Sequence, residues 1–158
     1  MPQVDGLQAT AMVRALPNPP AVLIFTTFAL DEVAMRAVQA GASGFLLKTT
    51  GPHELVEKVH AVARGEGVVS SEMVPSLFDA LRHGSGGSAA AQAVGQLTDR
   101  ELEVSCVVAQ GATNGAIARD LYISETTVKT HLMGAQNKLG VRTRVEVAVL
   151  IAKAGLLD

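Results

Sequence analysis

Two rhythms of apolar and polar positions divide the chain. Up to about residue 66, short unbroken apolar runs alternate with stretches of helical spacing. From residue 97 onward the apolar positions keep the helical period throughout. In the first part, residues 7–15 read as a helix. Ala21-Val22-Leu23-Ile24-Phe25, between Pro19-Pro20 and Thr26-Thr27, reads as a strand buried on both faces. Residues 31–39 form a helix with Ala34, Ala37 and Val38 on one side, ended by Gly41. Gly44-Phe45-Leu46-Leu47 is a second buried strand. Pro52 suits a first helical position, and Leu55, Val56, Val59, Val62 and Ala63 make the apolar stripe of a helix that stops at Gly65. Alternation of helix and strand implies a parallel α/β sheet. Two strands are too few for a stable one, so this half reads as incomplete.

Residues 71–81 read as a helix that leads into Arg82-His83-Gly84-Ser85-Gly86-Gly87-Ser88-Ala89-Ala90-Ala91-Gln92. That segment has no apolar period and reads as a flexible linker. The expected organisation is therefore an α/β unit over 1–66, a linker helix and linker over 67–96, and a helical unit over 97–158.

The helical unit is punctuated by start and stop signals. Thr98 with Glu101 is a capping box, and Leu97 with Leu102 takes the hydrophobic-staple positions. This first helix ends near Gln110-Gly111. Asn114 is the expected cap of the next, with Ile117, Ala118 and Leu121 inward. Ser124 caps the third, which Gly140 stops, and Val141 follows as the apolar residue after such a cap. Thr143 with Glu146 is a second capping box and opens the fourth.

On the third helix, Val128, Leu132, Ala135 and Leu139 share one face. Thr126, Thr130, Met133 and Asn137 share the opposite one, with Lys129 and Lys138 on the flanks. A short helix, a tight turn and a second helix is the arrangement that projects a helix into the major groove of double-stranded DNA. Lys129 suits a phosphate or a guanine edge, Thr130 a hydrogen bond or a thymine methyl, and Met133 apolar contact only. Thr126, Thr127, Lys138 and Arg142 are better placed for phosphates, which fix register more than sequence. His131, between the faces, reads as a phosphate contact or a packing residue. By charge alone Lys129 and Lys138 read as solvated charges on an amphipathic helix; the spacing of the two helices turns the reading to DNA.

The fourth helix, residues 143–154, is apolar on nearly every side through Val145, Val147, Ala148, Val149, Leu150, Ile151 and Ala152. One face packs on its own unit. The surplus implies self-association through Val145, Val149 and Ala152, or deeper burial within one chain.

Bulk composition adds limits. The chain has 158 residues, a net charge of −2 and 48% hydrophobic residues, so a core is feasible and no general basic field draws nucleic acid. Residues 97–158 hold seven Lys and Arg against seven Asp and Glu, so any DNA contact is local. A single cysteine, Cys106, excludes an internal disulfide and suits a reducing cytoplasm. The apolar stretches are too short for a bilayer, so no membrane is expected. No cofactor or metal site is expected, and no nucleophile with a neighbouring base supports an enzyme. Glu54 and Glu57 read as a solvated face.

The second half closely resembles the LuxR-type helix-turn-helix domain. The likeness rests on Leu97-Thr98-Asp99-Arg100-Glu101, Val108-Ala109-Gln110-Gly111, Asn114, Ile117-Ala118, Ile123 through His131 and Lys138-Leu139-Gly140-Val141-Arg142. It implies an all-α four-helix domain whose third helix reads DNA and whose fourth dimerises. Asn114 then joins Thr126, Thr127, Lys129, Thr130, His131, Met133, Asn137, Lys138 and Arg142 as a DNA-binding position. Ser105 and Ala116 stand where that family usually has Leu and Glu, and Gly134 costs the recognition helix about 1 kcal/mol relative to Ala. The first half resembles the back part of a receiver domain of NarL/FixJ response regulators, a flavodoxin-like α/β fold of which the last two strands and their helices are matched. Thr26 falls at the switch hydroxyl, Phe45 at the aromatic switch and Lys48 at the phosphate-contacting lysine. Asp5 falls at a loop position and is not read as a phosphoacceptor. The family's acidic pair and phosphoacceptor have no counterpart here.

The expectation is a cytoplasmic, DNA-binding transcriptional regulator of two-component type that is not controlled by phosphorylation and acts as a homodimer. Two alternatives stand beside it: an interaction module that forms mixed dimers with an intact response regulator, and a piece of a longer phosphorylated regulator.

Overall fold

The computed structural model describes residues 5–27, 31–69 and 87–157, in two compact units, Met1–Ala80 and Leu81–Asp158. In the first, α1 (Gly6–Arg14) starts where the Asp5 carboxylate accepts the Gln8 N–H at 2.8 Å. This cap leaves Asp5 a helix-starting residue. Then follow β1 (Leu23–Thr26), α2 (Asp31–Gln39), β2 (Gly44–Leu47), α3 (Pro52–Ala63) and β3 (Val68–Val69). The strands pair in parallel in the order β1-β2-β3, with Ile24 opposite Phe45 and Phe45 opposite Val69. Leu46, Val62 and Val68 are the buried centre, and Leu23, Leu55 and Ala61 pack against it.

Two expectations change here. The sequence places residues 67 onward in the linker, yet Val68 and Val69 add a third strand. Its trace in the sequence is Gly44, where a Cβ would lie 2.7 Å from the Val68 carbonyl oxygen, so only glycine admits β3 this closely. On α3, only part of the apolar stripe is buried: Val62 is covered, while Val56, Val59 and Ala63 are exposed.

The second unit is all helical. It begins with α4 (Gly87–Val94), continues with α5 (Asp99–Ala109), α6 (Asn114–Asp120) and α7 (Glu125–Leu139), and ends with α8 (Arg144–Lys153). α4 corrects the expectation of a flexible linker over 87–92. Ala90 and Val94 are buried, and an Ala-rich segment favours helix once one face has a partner. The expected helix over 71–81 lies outside the described residues.

Both capping boxes form as predicted. Thr98 Oγ1 accepts the Glu101 N–H while Glu101 Oε2 accepts the Thr98 N–H. Thr143 and Glu146 do the same at α8. The core is Val94, Val104, Val108, Ile117, Val128, Leu132, Val147 and Ile151, drawn from all five helices. Burying each Val, Leu or Ile side chain contributes about 1.5–3 kcal/mol. In this aliphatic core, Ser105 is satisfied by donating to the Glu101 carbonyl at 2.7 Å. No helix among the described residues is long and apolar enough to cross a membrane.

Candidate nucleic-acid interface

The pair α6 and α7 sits on a framework that fixes the turn between them. Arg100 of α5 donates to the Leu121 carbonyl in that turn at 2.9 Å and to Glu103 at 2.5 Å. Ile123 N–H closes on the Ala118 carbonyl, and the reversal is completed by Tyr122 at φ 54°. A tyrosine in left-handed backbone is uncommon and costs about 1–2 kcal/mol. Tyr122 is also 95% exposed, so burial does not offset that cost. Ser124 then caps α7: its hydroxyl accepts the Thr127 N–H at 3.0 Å and lies 2.8 Å from Thr127 Oγ1.

On α7 the faces separate as the sequence period requires. Val128, Leu132 and Ala135 are buried, while Thr126, Lys129, Thr130, Met133 and Asn137 are exposed. Met133 keeps 58% of its surface in solvent. Thr130 Oγ1 donates to the Thr126 carbonyl at 3.0 Å, so its hydroxyl oxygen is left as an acceptor on this exposed residue. Thr127 and His131 are half-buried on one flank, and Arg142 is exposed just past α7. Polar side chains thus flank the exposed Met133 on this side of α7, the composition of a helix that meets base edges and phosphates.

Three sequence expectations are corrected. Asn114 neither caps α6 nor reaches the surface. Thr113 is the cap, accepting the Ala116 N–H at 3.2 Å, and Asn114 is only 3% exposed. Its Oδ1 accepts from Arg144 Nη1 at 2.6 Å, and Arg144 also donates to the Ala112 carbonyl. Arg144 was missed as a site-building residue. Its signal was faint: an Arg opening a largely apolar helix is a charge drawn toward the core and in need of partners.

Second, Lys138 is exposed but already paired. Its Nζ donates to Glu101 Oε2 at 2.7 Å. That bond, then the Thr98 backbone N–H, holds the Glu101 carboxyl below the usual carboxylate range against the opposing effect of burial.

Third, Val145 and Val149 are 6% and 7% exposed, and Val147 and Ile151 are in the core, so α8 carries no bare valine face. The unforeseen α4 packs against α8 and takes up part of the apolar surface that read as surplus. Ala152 is half-buried, and exposed Leu156 lies just beyond.

In the α/β unit, Thr26 and Lys48 meet at the ends of β1 and β2, where Lys48 N–H donates to the Thr26 carbonyl at 2.6 Å. Lys48 is exposed and Phe45 is buried in β2. No Asp or Glu stands in β1, β2 or β3, and no cluster of three metal-ligating side chains occurs among the described residues.

Comparison with known proteins gives two family matches. Residues 1–60 match the response regulator receiver domain family, and residues 95–151 match the family described as bacterial regulatory proteins, luxR family. The transcriptional regulatory protein LiaR of Bacillus subtilis is 35% identical over 158 residues, covering all of this chain and 74% of LiaR. The nitrate/nitrite response regulator protein NarL of Escherichia coli is 34% identical over 151 residues, covering 96% of this chain and 69% of NarL. Among solved structures, the response regulator ChrA of a haem-sensing two-component system aligns with 99% of this chain and 73% of its own, at 32% identity and a TM-score of 0.43. The chain belongs to the response regulators of the NarL/LiaR type, with receiver-family sequence followed by a DNA-binding LuxR-type helix-turn-helix domain.

Proposed function

We propose that α7 lies in the major groove of double-stranded DNA with Lys129, Thr130 and Met133 toward the bases. Thr126, Thr127, His131, Asn137 and Arg142 then contact the backbone around them. The observation that carries this reading is the outward face of α7, where an exposed Lys and Thr flank an exposed Met on a helix whose opposite face is core. A Met kept in solvent on a well-packed helix favours an apolar contact with a partner, and the thymine methyl in the groove supplies one.

DNA binding by this chain requires no phosphorylation of its own residues. Support comes from the sheet, whose described strands contain no Asp or Glu, and from Asp5, whose carboxylate is engaged in a cap. Incubation with acetyl phosphate and Mg²⁺ is expected to leave the chain unlabelled and its DNA affinity unchanged; stoichiometric labelling would contradict this. The protein acts in the cytoplasm, where the DNA is, and two copies occupy two half-sites. Because Val145 and Val149 are covered, a second copy would meet Ala152 and Leu156 instead. Light scattering of the chain on a duplex carrying two half-sites should give two chains per duplex; one chain per duplex would remove the dimer from the account.

A further inference from the structure

Lys138 and Glu101 are 37 residues apart in sequence and 2.7 Å apart in space. The Glu101 oxygen that accepts from Lys138 also accepts the Thr98 N–H at 2.8 Å, so it is anchored in the cap that starts α5. The other oxygen fills the place that a side chain at position 134 would need: a Cβ on Gly134 would lie 2.6 Å from Glu101 Oε1. Gly134 and Lys138 are one turn apart on the same flank of α7. One buried carboxylate therefore fits against a notch in the recognition helix and is clasped by the lysine next to that notch.

We propose that Glu101 is a positioning residue for DNA reading: it fixes the rotation of α7 about its own axis and withholds the Lys138 ammonium from phosphate. The inference rests on the DNA-reading role of α7 proposed above. Drawing Lys138 to DNA would take from the Glu101 carboxylate its counter-charge and leave that oxygen only the Thr98 N–H, which opposes the exchange. Exposed Lys129 has no such competitor among the described residues.

The test uses the full chain and a generic double-stranded oligonucleotide, with affinity measured across salt concentrations. Each lysine on a phosphate contributes about 0.9 to the slope of log affinity against log salt. Lys138→Met is expected to keep the wild-type slope. Glu101→Gln, which preserves the capping box, is expected to steepen the slope by about one contact, because Lys138 is released. The double variant is expected to return to the wild-type slope. A role in stability alone would not steepen the slope in Glu101→Gln and reverse it in the double variant. The proposal is overturned if Lys138→Met flattens the slope, if Glu101→Gln leaves it unchanged, or if the double variant stays steep. Should Glu101→Gln lose its helical circular dichroism, Lys138→Met decides alone. Absence of wild-type binding at low salt would instead remove the DNA-reading role itself.

Discussion

Single residues show where local cost has been accepted for long-range fit. Gly134 in mid-helix forgoes about 1 kcal/mol of propensity, and the nearness of Glu101 Oε1 gives the reason. Gly134→Ala should therefore stabilise the wild type by less than the about 1 kcal/mol of propensity it gains, since the end of the Glu101 carboxylate must turn aside. In a Glu101→Ala background the same change should stabilise by about 1 kcal/mol. Chemical denaturation of the four species checks this, and equal effects in both backgrounds would separate Gly134 from Glu101. Glu101 also sets a pH response. Its folded pKa lies below the ordinary value of 4.5, so its contribution is complete above that pH and is lost as pH falls through the lower folded value. Glu101→Gln should flatten this part of the acid unfolding curve. Tyr122 is the opposite case, a strained and exposed residue. Tyr122→Gly should raise stability by about 1 kcal/mol, seen as a Tm higher by several degrees.

At the scale of elements, capping chemistry does much to decide where helices begin. Thr98→Ala removes the acceptor for the Glu101 N–H and should cost about 1 kcal/mol of unfolding free energy; a change under a few tenths would show the cap to be idle. These local signals are why most helices were legible from sequence. A capping box spans four residues and an apolar face repeats within two turns, so α5, α7, α8 and the outward face of α7 could be placed without tertiary information. Asn114, Lys138, Val145 and Val149 could not, because their roles are set from far along the chain. Arg144 reaches Asn114 across 30 residues and Glu101 reaches Lys138 across 37. The weakly patterned segments failed for a related reason. β3 has two residues, and α4 has an Ala-rich sequence whose helix depends on what it packs against.

For the whole molecule, the boundary of the DNA-binding unit follows from α4 rather than from the Gly- and Ser-rich composition before it. A fragment spanning 87–158 should be more stable than one spanning 97–158 by about 2 kcal/mol or more, because the shorter one loses the buried Val94 and Ala90. Equal denaturation midpoints would make α4 an ornament. The α/β unit joins Thr26 and Lys48 through a backbone hydrogen bond and buries Phe45. The helical unit is the part whose surface chemistry gives the chain its proposed action. Titration of a duplex with the wild-type chain and with Lys129→Ala at increasing salt tests that action most directly. Wild-type binding should weaken steeply as salt rises, and Lys129→Ala should lose about 1–3 kcal/mol at low salt. Identical affinities for the two proteins at low salt would contradict this.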